Sequence, residues 1–223
     1  DYGVNIVTFA TAVFHVFAKE DPGCLAGIEQ LLIGGEPANP DAFQAVIEAC
    51  PDIWIENAYG PSETTVAVTR GRLTEAMVRQ PSMPIGSVMS GHSLYILDPF
   101  MRQVPVGVPG ELYVAGDGVT QGYADDPLRT AEVFVANPFG SNDRLFRTGD
   151  IVKWNPDGTI AFFGRKDGQI KIRGNRLELG EVEVALERIP GVVRAAATAP
   201  TNPGGNKSLV GYVVLEAGRE LDY

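Results

Sequence analysis

The sequence predicts an α/β fold: a parallel sheet covered by helices, then antiparallel hairpins, then the opening of a small α+β unit. Three observations carry this. In roughly the first sixty residues, β-branched and aromatic runs alternate with helix-period stripes, the rhythm of a parallel sheet. After about residue 84 the apolar runs shorten and Pro and Gly separate them, as in antiparallel hairpins. Past Gly164 a basic hairpin, a helix and two strands follow in turn.

Residues 4–10 read as a buried strand and 11–19 as the helix after it. Residues 28–33 are the next strand, ending in Gly34-Gly35-Glu36. Asn39 then offers an N-cap and Pro40 suits a first helical turn. Phe43, Val46, Ile47 and Cys50 sit at i, i+3, i+4 and i+7, so the helix has an apolar stripe. Residues 53–55 form a third strand running into Asn57. Beyond residue 84, strands are expected over 93–97, 111–115, 151–154 and 159–163, with Pro156-Asp157-Gly158 as a turn. A hairpin follows over 169–179, then a helix with Val182, Ala185, Leu186 and Ile189 on one face. Strands over 195–199 and 209–215 flank a Gly/Asn/Pro-rich loop, and no internal repeat is visible.

The net charge of −10 argues against a nucleic-acid partner, which selects a basic face. It leaves nucleotide binding open, since a few local donors suffice for a phosphate chain. No apolar run approaches the roughly 18–20 residues of a membrane helix. No charged-then-apolar leader follows Asp1, so the expectation is a cytoplasmic protein whose natural start lies upstream. Cys24 and Cys50 make no metal or redox pair and are expected to be buried free thiols. His15 and His92 are isolated from other ligand types, which favours packing or surface roles.

Four segments carry groups able to do chemistry. The first is Asn57-Ala58-Tyr59-Gly60-Pro61-Ser62-Glu63-Thr64-Thr65, just past a predicted parallel strand, where open sheets bind ligands. Its aromatic plane, amide, hydroxyl and carboxylate can stack a purine, donate to phosphate and hold Mg²⁺, which prefers oxygen ligands. Alone, it also reads as a polar turn. The second, 110–118 continuing to Gly122-Tyr123, has glycines suited to tight turns, and a structural role is favoured there. The third, Arg147-Thr148-Gly149-Asp150, sets an acid beyond a Gly turn, able to accept two hydrogen bonds from a ribose diol or to face water. The fourth, 164–181, places Arg165, Lys171, Arg173 and Arg176 beside a glycine-flanked acid. A solvated charged hairpin would look the same.

In this order and spacing, the four segments resemble the core motifs of the adenylate-forming superfamily. The wording of 57–61 (NAYGP) and 171–181 (KIRGNRLELGE) is similar in particular to adenylation domains of non-ribosomal peptide synthetases, and the likeness covers essentially the whole chain. The resemblance implies an AMP-forming ligase of antibiotic-type peptide biosynthesis. Such an enzyme activates an amino acid with ATP and Mg²⁺ to an aminoacyl-adenylate, then passes it as a thioester to the phosphopantetheine of a peptidyl carrier protein domain. It implies that residues 1–166 are the C-terminal part of the large adenylate-forming core. Residues 167–223 would then be the N-terminal part of a small, truncated C-terminal subdomain. Carried over residue by residue, Tyr59 should stack on adenine, with Asn57 at its edge and Gly35 and Ala58 also beside the nucleotide. Ser62 should contact the α-phosphate, Glu63 should hold Mg²⁺, Asp150 should take the ribose hydroxyls, and Arg165 should lie near ribose and phosphate. Asp167 matches the hinge between subdomains, and Gly174 lies in the loop expected to line the thiol's path. Ser62, Glu63, Arg165 and Asp167 are thus the implied catalytic set.

The resemblance also places six pocket-lining positions on Thr8, Leu32, Gly34, Ala58, Val66 and Ala67. Three are almost without side chain, two are apolar and one carries a hydroxyl, which suits an aromatic substrate, tyrosine or a relative before phenylalanine. Ser62 stands where the family usually has Thr, keeping the hydroxyl. The phosphate loop and the amine-binding Asp are expected upstream and a late catalytic Lys beyond Tyr223, so the chain alone is expected to be inactive. An MbtH-like helper is a further partner the resemblance allows; nucleic acid and membrane are not expected partners. Two other readings stay open. One is an acyl- or aryl-acid ligase delivering to coenzyme A, which the amine-binding Asp would decide. The other is a non-catalytic docking segment of a megasynthase, against which Glu63, Asp150 and Arg165 count.

Overall fold

Strand β1 (Ile6–Ala10), helix α1 (Thr11–Glu20), strand β2 (Gln30–Gly34), helix α2 (Pro40–Ala49) and strand β3 (Trp54–Tyr59) begin the chain as two βα units and a strand. The computed structural model describes residues 3–80, 82–140, 144–167, 169–172, 175–201, 207–216 and 218–219. The chain divides into two compact units, Asp1–Lys166 and Asp167–Tyr223. No helix among the described residues is long and apolar enough to cross a membrane.

The three strands run parallel, with Thr8 beside Leu32, Leu32 beside Glu56 and Gly34 beside Ala58. Side chains alternate across a strand, so Leu31, Ile33 and Ile55 share one face. There they meet Phe14 of α1 and Phe43 and Val46 of α2, all within one buried core. Full burial of each such side chain contributes about 1.5–3 kcal/mol. The other face carries Thr8, Leu32, Gly34, Glu56 and Ala58. The sheet order ends at β1, and Ile6 stays 57% exposed. Residues 4–10 are therefore a half-exposed end strand and not the buried one their apolar composition suggests.

Helix α2 starts where its cap says. Asn39 Oδ1 accepts the N–H of Asp41 at 2.7 Å and of Ala42 at 3.3 Å, and Pro40 opens the first turn. The N–H of Asn39 itself donates to His15 Nε2 at 2.9 Å, so His15 ties α1 to the start of α2. Cys50 is buried below the end of α2, whereas Cys24 is exposed, against the expectation of two buried thiols; Cys24 sits in the surface turn Pro22–Leu25.

Two strands continue the sheet antiparallel: β4 (Thr69–Arg72) and, after α3 (Glu75–Val78), β5 (Ser87–Val88). A second, antiparallel sheet follows, built from β6 (His92–Leu97), β7 (Gly110–Gly116), β9 (Arg144–Trp154) and β10 (Ile160–Arg165). Helix α4 (Pro127–Val133) leads into β8 (Phe134–Ala136), which pairs with β9. Ile96, Leu112, Val114, Val152 and Ile160 form the core of this sheet together with Val68 and Ile85.

Strand β9 is much longer than its apolar run 151–154. Its pairing with β7 jumps from Glu111↔Ile151 to Tyr113↔Arg147, leaving extra residues on β9 in a bulge around Thr148-Gly149-Asp150. Gly149 has φ +78°, the left-handed conformation that favours glycine. The sequence signal of a turn here is a bulge inside a strand.

The second unit contains β11 (Ile170–Ile172), β12 (Asn175–Leu177), α5 (Leu179–Glu187), β13 (Val192–Thr198) and β14 (Val210–Leu215). Its strands form two antiparallel pairs. Val182 and Leu186 of α5 are half-buried, and Leu186 lies over Gly211, where a Cβ would come within 2.8 Å of its side chain. Ala185 and Ile189, expected on the same face, are exposed. Gly168, Arg173 and Gly174 lie outside the described residues.

Candidate functional site

Strand β3 delivers the Asn57–Tyr59 segment to the edge of the second sheet. Tyr59 donates its hydroxyl hydrogen to Asp150 Oδ2. Arg165 Nη1 binds the other oxygen of Asp150 at 2.9 Å, and Asp150 is 4% exposed. Two irregularities in pairing make this meeting possible. The β9 bulge turns Asp150 out of the β7 ladder, and Phe163 is an extra residue on β10, so that Arg165 pairs directly with Asp150. Thr148 braces the bulge: its Oγ1 accepts the Asp150 N–H at 3.0 Å and donates to Leu112 O at 2.8 Å. Burial, then the charge and hydrogen bond of Asp150, hold the Tyr59 phenol well above its ordinary pKa of 10. Tyr59 thus keeps its proton and donates a hydrogen bond to Asp150. Its ring lies 6.2 Å from that of Phe162. Asn57 is buried, and its amide nitrogen donates to Pro84 O at 3.1 Å.

The turn Ser62–Thr64 follows, with Ser62 exposed and Glu63 7% exposed. Glu63 Oε1 accepts the hydroxyl of Tyr123 at 2.5 Å, and its carbonyl accepts the N–H of Thr120 at 2.9 Å. Thr65 Oγ1 donates to Gly118 O at 2.8 Å. Thr65 and Val66 have φ of 61° and 64°, two successive left-handed residues of which both are β-branched. Such conformations cost on the order of 1–3 kcal/mol each and persist only where surroundings enforce them. Gly60 is part of that enforcement, since a Cβ there would sit 2.6 Å from Ala67 Cα and 2.7 Å from Val66 O.

Thr8, Leu32, Gly34 and Ala58 lie on one face of three adjacent strands, with Thr8 exposed and the others half-buried. A Cβ on Gly34 would meet the Ala58 carbonyl oxygen at 2.5 Å. Val66, 80% exposed, and Ala67 lie in the loop that packs on Gly60. Gly35, just past β2, is exposed with φ +100°. Asp167 belongs to the second unit, where its Oδ1 accepts the Gln169 N–H at 3.1 Å. Among the described residues no group of three or more His, Cys, Asp or Glu could hold a metal by itself. Mg²⁺ needs no such group, being ordinarily held by one or two carboxylates together with substrate phosphates, and the buried carboxylate of Glu63 has the chemistry to be one of them.

A family model described as AMP-binding enzyme matches residues 1–124, more than half of the chain. The chain belongs to the AMP-binding enzyme family. A plipastatin synthase polypeptide of Bacillus subtilis (strain 168) is 39% identical over 99% of this chain, which spans 8% of that protein. Tyrocidine synthase 3 of Brevibacillus parabrevis is 38% identical over 96% of the chain, which spans 3% of it. Among solved structures, holo-PA1221, an NRPS protein containing adenylation and PCP domains bound to a vinylsulfonamide inhibitor, superposes with a TM-score of 0.88. It is 30% identical, over 96% of this chain and 37% of its own. The fold is that of an adenylation domain, and its C-terminal core is the part this AMP-binding family member matches.

Within this AMP-binding enzyme the Tyr59–Asp150–Arg165 cluster is legible from motifs, while three supports are not. Thr148 sits inside the third motif but reads as a spacer. Tyr123 ends a glycine-rich segment that reads as structural. Glu111, which accepts Arg147 Nε at 2.7 Å and Lys166 Nζ at 3.5 Å, reads only as a strand residue. A Tyr directly after Gly122, in a segment otherwise poor in large side chains, is the available signal for the second.

Proposed function

We propose that this chain supplies the adenine-, ribose- and metal-holding part of an enzyme that joins an amino acid to AMP. The product would then pass as a thioester to the phosphopantetheine of a peptidyl carrier protein domain. The observation that carries the reading is Asp150: a buried carboxylate, bracketed by an aromatic phenol and a guanidinium, in a member of the AMP-binding enzyme family. A ribose diol satisfies such a carboxylate through two charge-assisted hydrogen bonds. Tyr59 offers its ring to adenine with Asn57, Ala58 and Gly35 alongside. Arg165 serves ribose and phosphate, and exposed Ser62 gives its hydroxyl to the α-phosphate. Bound beside Glu63, Mg²⁺ would offset the negative charge that builds on the phosphates as pyrophosphate leaves. Thr8, Leu32, Gly34, Ala58, Val66 and Ala67 line the side-chain pocket of an aromatic amino acid, tyrosine before phenylalanine. Gly34 and Ala58 leave room for a ring.

Residues 1–166 are read as the C-terminal part of a large core, and 167–223 as the start of a small subdomain turning at Asp167. The limited share of each relative that the chain spans supports this reading. On it, the chain alone forms no acyl-adenylate at a useful rate, and the reaction runs in the cytoplasm, with an MbtH-like helper as a candidate partner. The test is ATP–pyrophosphate exchange by the intact adenylation domain across a panel of amino acids. Exchange led by tyrosine or phenylalanine is expected. A clear preference for a small or acidic amino acid would overturn the substrate, and exchange with no amino acid on the panel would overturn the activity.

A further inference from the structure

The Ser62–Thr64 turn is three residues long and carries Glu63 at its centre. The segment from Gly118 to Tyr123 packs against it. It touches the turn at three points: Thr120 N–H on the Glu63 carbonyl, Gly118 O under Thr65 Oγ1, and Tyr123 hydroxyl on Glu63 Oε1. Gly118 lets the two segments close, because a Cβ there would sit 2.8 Å from Thr64 O and 2.5 Å from His92 Nε2.

Tyr123 is itself set on a firm base. Its N–H donates to Thr130 Oγ1 at 2.9 Å. Its ring meets Phe134 edge-on, with centroids 5.9 Å apart, and the Arg129 guanidinium lies 5.1 Å from the ring centroid. Gly122, with φ +143°, is pressed on Thr130, whose methyl carbon a Cβ would overlap. Arg144 Nη1 donates to Gln121 O at 2.9 Å, tying the same segment to β9. The phenol therefore reaches Glu63 from a rigid platform in the second sheet, across 60 positions of sequence.

We propose that Tyr123 is a positioning residue for Glu63, holding its carboxylate in the orientation that meets Mg²⁺ on the bound triphosphate. This rests on the assignment of Glu63 to the metal. A phenol donor suits the task because it orients a carboxylate while leaving it ionised. It also reduces the freedom of a long side chain before metal and nucleotide arrive.

The test is calorimetric titration of ATP into the intact adenylation domain, once with Mg²⁺ and once with EDTA. Tyr123→Phe keeps the ring contacts with Phe134 and Arg129 and removes only the hydroxyl. Its affinity should fall about tenfold with Mg²⁺, the scale of one lost hydrogen bond to a charged acceptor, and stay within about twofold in EDTA. Glu63→Gln should lose the Mg²⁺-dependent gain, and the double variant should bind no more weakly than Glu63→Gln alone. An unchanged gain in Tyr123→Phe beside its loss in Glu63→Gln overturns the positioning role and leaves the metal assignment standing. Losses that add in the double variant overturn it too, since Tyr123 would then act elsewhere. A full gain kept by Glu63→Gln overturns the metal assignment and the proposal together.

Discussion

The phenol of Tyr59 and the carboxylate of Asp150 are hydrogen-bonded across 91 positions of sequence. On the proposed function, a ribose held by Asp150 would compete with that phenol for the same oxygen, while adenine would stack on the ring of Tyr59. Hydroxyl and ring would then have opposite effects on nucleotide binding. Tyr59→Phe should bind ATP as tightly as the unaltered domain, or up to about tenfold more tightly. Tyr59→Ala should lose about 1–3 kcal/mol of base stacking. Calorimetry on both variants checks this, and weaker binding by Tyr59→Phe would remove the ribose from Asp150.

Arg165 and Asp150 have side chains 16% and 6% exposed. Removing one partner of such a pair leaves a buried charge uncompensated. Arg165→Met should therefore lower the unfolding free energy of the first unit by about 3 kcal/mol, with Tyr59 still on the other oxygen. Urea denaturation followed by tryptophan fluorescence measures it. A loss under about 1 kcal/mol would mean that water reaches the carboxylate and screens it as at a surface.

His15 accepts a backbone N–H through Nε2, which only the neutral ring can do. Burial lowers its pKa below 6.5, and the nearby charge of Glu36 offsets part of that. As pH falls through about 6.5 the unfolded chain takes the proton first, so stability declines with falling pH until the folded ring also protonates. Above about pH 7 both forms are neutral and the contribution is complete. His15→Gln keeps an acceptor without the titration. Melting points from about pH 7.5 to pH 5 should show a shallower decline in the variant, and an unaltered decline would assign the dependence elsewhere.

Lys166, the last residue of the first unit, is anchored by its N–H on Gly149 O at 2.9 Å and by Nζ near Glu111 Oε2 at 3.5 Å. The next residue, Asp167, accepts the Gln169 N–H within the second unit. A rotation between units would thus fall on the torsions of Asp167. Asp167→Pro fixes φ near −65°. In the intact domain with its carrier, amino-acid exchange should stay within about tenfold, while loading of the carrier thiol should fall much further. Equal loss in both half-reactions, with an unchanged melt, would place the hinge elsewhere.

What can be read from sequence follows the range of the forces involved. Asn39 and Pro40 announce α2 because a cap acts within three residues, and Phe43, Val46 and Cys50 announce its buried face by spacing alone. Asp150 is legible as an acid beside a glycine, yet the local pattern points to a turn. A left-handed glycine looks the same in a turn and in a bulge, and only pairing with β7 and β10 tells them apart. Tyr123 carries only a faint signal in the sequence, because its partner Glu63 lies 60 positions away in a turn after β3 and no local pattern joins them.

The close approach of Gly34 to the Ala58 carbonyl limits how this protein could change by mutation. Any side chain at position 34 would have to push apart two hydrogen-bonded strands, so drift there is closed and that wall is inherited with the backbone. Val66 stands 80% exposed on its loop and can be exchanged at little cost to the sheet. On the proposed pocket, descendants of this sequence that accept a different side chain should carry the record of that shift at Val66, with glycine retained at 34.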